Sequence, residues 1–170
     1  VSYHRSRLQQ TRYGQGRMLA TGLSEDQALD LVQDLDGLIS IASVNSHASV
    51  VLAGDAVTLE EIAGYLEKED IFQRFLKTGV AYHSYQMDPL ESELLSVLDK
   101  LRPRKPKIPL YSTVTGKQIK TIAYNASYWW KNVRHSVQLS GALGHLIKDG
   151  FDAYLEIGPH PVLSPYIRQE

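Results

Sequence analysis

Apolar positions along the chain change their spacing several times, and each change marks an element. Ser24-Glu-Asp-Gln27 is a capping-type signal, and Ala28, Leu31, Val32 and Leu35 behind it share one helical face. Leu59, Ile62, Ala63 and Leu66 repeat that spacing and predict a second amphipathic helix over 59–68. Between the two lie β-rich stretches, Leu38-Ile-Ser-Ile-Ala-Ser-Val44 and Ser49-Val-Val-Leu-Ala53. The short polar segment Asn45-Ser-His-Ala48 joins them as a turn, so they predict a β-hairpin. Met18-Leu-Ala-Thr-Gly22 predicts a strand ahead of the first helix, and 72–82 a strand after the second, ending against His83. Residues 17–82 thus read βαββαβ, the ferredoxin-like split βαβ order.

The flanks have a different texture. Residues 1–16 read as the end of a helix, with Tyr3 and Leu8 on one face, broken by Gly14 and Gly16. After His83, Leu90, Leu94, Leu95, Leu98 and Leu101 predict a helix over 87–101. A proline-punctuated basic connector, Arg102-Pro-Arg-Lys-Pro-Lys107, leads to a strand over 108–114. Helices over 126–133 and 137–148, a short strand over 153–157 and a final short helix complete the alternation. Strands alternating with helices imply an α/β fold. Residues 83–170 do not cover a parallel sheet on both faces by themselves. The chain also opens at Val1 without methionine, so a piece of something longer is expected.

Composition narrows the function classes. The 170 residues are 43% hydrophobic, ample for a packed core, and 18 Lys and Arg face 19 Asp and Glu for a net charge of −1. A nucleic-acid binder relying on a basic field is disfavoured, and the 102–107 connector lacks the aromatic interleaving of such a site. No apolar run approaches the ~20 residues of a membrane span. The absence of cysteine excludes disulfides and thiolate metal sites, and fits the cytoplasm.

His83 stands where an apolar run meets a predicted helix start, and its imidazole suits general base work near neutral pH. From spacing alone such a histidine is more often a core or cap residue than a catalyst, and Ser84 fits a helix N-cap. No Gly-x-Ser-x-Gly elbow and no cysteine offer a nucleophile. His135 and His145 have no partner at metal-ligand spacing, so no metal site is expected. His160, between prolines, reads as structural, His4 as an exposed helix-end residue, and Trp129-Trp130 as core and rim packing.

Five motifs occur in order: Arg5-Ser-Arg-Leu-Gln9, Gly16-Arg-Met-Leu-Ala-Thr-Gly-Leu-Ser24, Val44-Asn-Ser46 with Ser49-Val-Val-Leu-Ala-Gly-Asp55, Ala81-Tyr-His-Ser-Tyr-Gln-Met-Asp-Pro-Leu90, and Tyr154-Leu-Glu-Ile-Gly-Pro-His-Pro-Val-Leu163. Together they resemble the malonyl-CoA:acyl-carrier-protein acyltransferase family, above all the acyltransferase domains of type I polyketide synthases. The likeness runs over essentially all 170 residues but over only about the second half of a family domain. It implies a ferredoxin-like subdomain at 17–82, the end of a core helix at 1–16, and the C-terminal part of an α/β-hydrolase-like core at 83–170.

The resemblance also implies roles. His83, in His83-Ser-Tyr-Gln-Met87, matches the family's base, which activates a serine that lies outside this chain. Arg5 matches the arginine that binds the free carboxylate of the extender unit. Ser136-Val-Gln138 matches the segment whose backbone carbonyl orients the histidine, with serine for proline, and points to Gln138. Tyr82 occupies a position where a bulky aromatic goes with malonyl and a small serine with methylmalonyl, although Val80 departs from that motif's first residue. Asn45 is placed in a turn facing the pocket. The implied substrates are a CoA thioester, malonyl-CoA with methylmalonyl-CoA as the alternative, and a carrier protein bearing phosphopantetheine. Neighbouring synthase domains are the other implied partners, with no bound cofactor. The fragment alone is expected to be inactive. The competing reading is a non-catalytic ferredoxin-like binding or docking module.

Overall fold

A computed structural model describes residues 1–35 and 37–170. Helix α1 (Ser2–Gln10) precedes strand β1 (Arg17–Thr21), helix α2 (Glu25–Val32), strands β2 (Ile39–Ser46) and β3 (Ser49–Gly54), helix α3 (Ala56–Lys68) and strand β4 (Gln73–Phe75). A 3-10 helix (Tyr85–Leu90) runs into α4 (Glu91–Leu98). Then follow β5 (Tyr111–Ser112), β6 (Lys117–Gln118), α5 (Ala126–Arg134), β7 (Val137–Gln138), α6 (Leu139–Lys148) and α7 (Ser164–Ile167).

Local chemistry explains the first half. Ser24 and Gln27 form a reciprocal capping box at the start of α2. Asp55 caps α3 by accepting from the Thr58 amide and hydroxyl, each at 2.9 Å. Gly54 links β3 to α3 at φ 155°, and a Cβ there would lie 2.1 Å from the Leu38 carbonyl oxygen, so only glycine fits.

The strands form a mixed sheet in the order β4-β1-β3-β2-β7. Neighbours among the first four are antiparallel; β7 joins β2 in parallel, with Val137 beside Ser43 and Gln138 beside Val44. One face of the sheet carries Leu19, Ile39, Val50 and Leu52, covered by Ala28 of α2 and by Leu59, Ile62, Ala63 and Leu66 of α3. The other face offers Met18, Ala42, Val51 and Ala53, and Ala81 packs against it. A second apolar cluster gathers Leu8 of α1, Val80, Met87, Leu90, Leu94, Leu98, Trp130 and Val133. Tyr82 touches both clusters, so residues 80–82 form the wedge between sheet and helices. Burying that wedge from two sides fixes the backbone that leads into His83.

Several expected elements differ. The strand over 72–82 is only Gln73–Phe75, and the chain then turns away so that Val80 and Ala81 can fill the space between the two clusters. The helix over 87–101 is split, because Pro89 has no amide to donate and leaves a 3-10 turn before α4. The strand over 108–114 shrinks to two residues paired with β6. Residues 153–157 form no strand: among the described residues nothing pairs with them, and Leu155 and Ile157 are 85% and 91% exposed. Asn45 lies inside β2, and the hairpin turn is His47-Ala48.

Candidate active site

His83 adopts φ +61°, in the left-handed region that side chains other than glycine rarely occupy. The next residue explains how the turn is held. Ser84 is fully buried; its hydroxyl donates to the Ala81 carbonyl at 2.7 Å and accepts from the Gln86 amide at 3.2 Å. One side chain thus ties the residues before His83 to those after it, while capping the 3-10 helix. Gln86 adds a bond to the Gln15 carbonyl at 2.8 Å, securing the turn to the segment ahead of β1.

The imidazole Nδ1 lies 2.8 Å from the backbone carbonyl oxygen of His135. A carbonyl only accepts, so Nδ1 carries the hydrogen and the neutral ring's lone pair is on Nε2. Burial lowers the His83 pKa, the His135 carbonyl opposes that, and the positive charge of Arg5 lowers it further. The ring is therefore a neutral base with a free Nε2 at neutral pH. Among the described residues no hydroxyl hydrogen-bonds it.

Two clefts meet at His83. One, of about 400 Å³, is lined by Arg5, Ser6, Gln9, Tyr82, His83, Asn132 and Val137. The other, of about 550 Å³, carries the Arg134–Asp88 ion pair, Glu91, Ser40 and Ser136 beside His83. Arg5 reaches the first cleft from α1. Its Nη1 donates to the amide oxygen of Asn132 in α5 at 2.5 Å, and its buried Nε has no partner. Among the described residues no carboxylate pairs with this guanidinium. A half-buried cation without a counter-ion is costly unless a ligand supplies the negative charge.

Of the residues singled out from the sequence, Arg5, Tyr82 and His83 are brought to one cleft. Asn45 lines neither cleft at His83; its side-chain oxygen accepts from the Ser43 hydroxyl at 2.9 Å. Gln138 is displaced from the expected role. Its backbone belongs to β7, its amide donates to Thr113, and the carbonyl on His83 is that of His135, three residues earlier. Pairing of β7 with β2 commits the Gln138 backbone to the sheet, which leaves the end of α5 to face the ring. Trp130 is buried and Trp129 packs beside it. No group of three or more His, Asp or Glu among the described residues is placed to hold a metal ion, and none of the described helices is long and apolar enough to cross a membrane. Reasoning from sequence missed Asn132 and His135. Asn132 is an ordinary polar position on an amphipathic helix, 127 residues from its partner, and a backbone carbonyl carries no residue signature.

The family model described as "Acyl transferase domain" matches residues 1–170. Erythronolide synthase EryA3 of Saccharopolyspora erythraea is 39% identical over 161 residues, 94% of this chain and 5% of that protein. The crystal structure of the acyltransferase domain from module 8 of the salinomycin polyketide synthase is 28% identical and superposes with a TM-score of 0.95, over 99% of this chain and 40% of that one. The acyltransferase domain of SpnD, solved in complex with 2-(pent-4-yn-1-yl)malonyl, is 26% identical with a TM-score of 0.89, over 99% of this chain and 40% of that one. The chain therefore spans 40% of each of these two solved chains and 5% of the synthase.

Proposed function

The chain belongs to the acyl transferase domain family, and on that premise we propose that it is the histidine- and arginine-bearing part of a polyketide-synthase acyltransferase. The reaction moves a malonyl-type unit from CoA to the phosphopantetheine thiol of an acyl carrier protein through an acyl-serine, with the serine outside these 170 residues. The observation that supports this best is the pairing in one cleft of a base with a free Nε2 and a guanidinium with no carboxylate partner.

In this reading His83 Nε2 takes the serine proton as the serine oxygen adds to the thioester carbonyl. The C–S bond then breaks, and the imidazolium returns the proton to the departing CoA sulfur. The second half runs in reverse: the carrier thiol gives its proton to His83, its sulfur takes the acyl group, and the serine oxygen recovers the proton. Arg5 binds the free carboxylate of the extender unit, which a planar guanidinium suits because it donates two parallel hydrogen bonds. The malonyl derivative bound by the SpnD domain is the class of ligand this clamp fits. Tyr82, packed against both apolar clusters, narrows the space beside His83 and favours malonyl over methylmalonyl.

The architecture follows the same reading. Residues 17–82 form a ferredoxin-like subdomain, supported by the antiparallel strand order β4-β1-β3-β2. Residues 1–16 and 83–170 belong to an α/β-hydrolase-like acyltransferase core, within a cytoplasmic synthase whose neighbouring domains flank it. The test is acylation of the complete domain. His83→Ala is expected to slow serine acylation by about 10²–10⁴-fold, the range for loss of a general base. Near-native acylation by a folded His83→Ala domain would sink the proposal.

A further inference from the structure

We propose that Asn132 is a positioning residue for the Arg5 carboxylate clamp, and that the C-terminal turn of α5 sets the spacing between clamp and base. The inference rests on the acyltransferase reading above and names how its carboxylate site is built. Two residues three apart at the end of one helix hold the two working groups. The Asn132 amide oxygen accepts from Arg5 Nη1 at 2.5 Å, and the His135 carbonyl accepts from His83 Nδ1 at 2.8 Å. Neither Arg5 nor His83 belongs to that helix, so α5 is the shared reference for both.

The helix is itself fixed. Asn125 caps its start by accepting from the Tyr128 amide at 2.9 Å, while Trp130 and Val133 are buried in the cluster under His83. Arg134, the neighbour on the other side of the turn, is tied to Asp88. Asn132 thus presents its oxygen from a rigid support, and a long arginine side chain loses most of its rotamer freedom before any substrate arrives.

The choice of an amide is chemically specific. An amide oxygen anchors one N–H of the guanidinium and leaves its charge whole. A carboxylate at the same place would anchor it equally well in shape but neutralise it, and the extender carboxylate would meet a filled ion pair. Asparagine therefore separates holding the cation from quenching it, which is what a clamp for an acid requires.

The experiment compares malonyl-CoA with acetyl-CoA, which has no free carboxylate, on the complete domain and its Arg5→Ala, Asn132→Ala and Asn132→Asp variants. The readout is the malonyl-to-acetyl ratio of kcat/KM, with the pH profile of acetyl transfer as the second measurement. Asn132→Ala is expected to lower the ratio about tenfold, the scale of one hydrogen bond to a charged group. Asn132→Asp, nearly isosteric, is expected to lower it by more than Asn132→Ala does. If Arg5→Ala leaves the ratio unchanged, the clamp reading fails and this inference falls with it. If Arg5→Ala lowers the ratio while both Asn132 variants keep the wild-type value, the clamp stands and the positioning role of Asn132 is wrong. Equal loss of both substrates in both Asn132 variants would make Asn132 a structural residue only and would also overturn the inference.

Discussion

At the scale of single residues, the strained backbone of His83 and the neutrality of its ring have one origin. The wedge of Val80 and Ala81 and the buried Ser84 hold the turn at φ +61°, which carries the ring to the mouth of two clefts but partly out of water. Burial then lowers its pKa, with Arg5 adding to the effect. A base is active when neutral, so kcat/KM of the complete domain should rise from acid pH through a midpoint below pH 6.5, the ordinary imidazole value. Removing the cation with Arg5→Ala should move that limb upward, whereas Arg5→Lys should leave it nearly in place. Titration of the His83 ring by NMR in the 170-residue chain checks the same shift without turnover. Linkage runs in the same direction: a folded-state pKa below the unfolded one adds stability above the unfolded value, and that stability is lost as pH falls through the folded one. Tyr82 gives a second residue-scale outcome. Tyr82→Ser in the complete domain should shift competition between malonyl-CoA and methylmalonyl-CoA toward methylmalonyl by about tenfold, since one methyl group is worth ~1–3 kcal/mol. An unchanged ratio would place selection elsewhere. The sequence singled out His83, Arg5 and Tyr82 because side-chain identity in a motif marks them, and they share one cleft. It did not single out Asn132 or the His135 carbonyl, whose contacts with Arg5 and His83 arise from proximity created by folding.

At the scale of elements, legibility followed how local the determining forces are. The capping signal at Ser24–Gln27, the spacing of Leu59, Ile62, Ala63 and Leu66 and the β-rich runs before them all act within a few residues, and α2, α3, β2 and β3 were readable from them, whereas the Asp55 cap that starts α3 at Ala56 was not. Truncating the shared core should show the dependence: Leu52→Ala or Leu59→Ala, both fully buried, should each cost about 2–5 kcal/mol by urea denaturation. Elements decided by distant partners were misread. The strand β7 exists because β2 offers an edge to Val137 and Gln138, and periodicity over 137–148 carries no trace of that edge. Residues 153–157 have strand-like composition but no ladder within the described chain. What orders the following loop is a carboxylate. Glu156 accepts from the amides of Val162, Leu163 and Ser164 at 2.8–3.1 Å and from the Ser164 hydroxyl at 3.0 Å. Desolvation pushes its pKa up, but these hydrogen bonds together outweigh it and hold it below the ordinary value. The ionised loop should therefore persist at neutral pH and loosen as pH falls through the lowered pKa. Hydrogen exchange at the Leu163 and Ser164 amides should quicken there relative to the core, and Glu156→Gln should show the faster exchange already at pH 7.

At the scale of the whole molecule, the fold brings His83 and Arg5, the proposed base and clamp, to one cleft. Two helices cover one face of the sheet, and the segment wedged between its other face and the helices around Met87 leads into His83. Arg5 arrives from α1, and both it and His83 hydrogen-bond to the end of α5. In the salinomycin module 8 and SpnD structures this chain aligns with 40% of the polypeptide. Ser6, Ser40 and Ser136 line the clefts at His83, yet among the described residues none hydrogen-bonds its ring. A hydroxyl without a base in contact keeps its proton at neutral pH and is a poor nucleophile toward a thioester. The 170-residue chain incubated alone with malonyl-CoA is therefore expected to show no covalent malonyl addition by intact mass. The complete domain should gain one malonyl group under the same conditions. A stable adduct on the chain alone, mapped to Ser6, Ser40 or Ser136 and lost in His83→Ala, would mean that the nucleophile lies within these residues, and the division of the reaction centre argued above would be wrong.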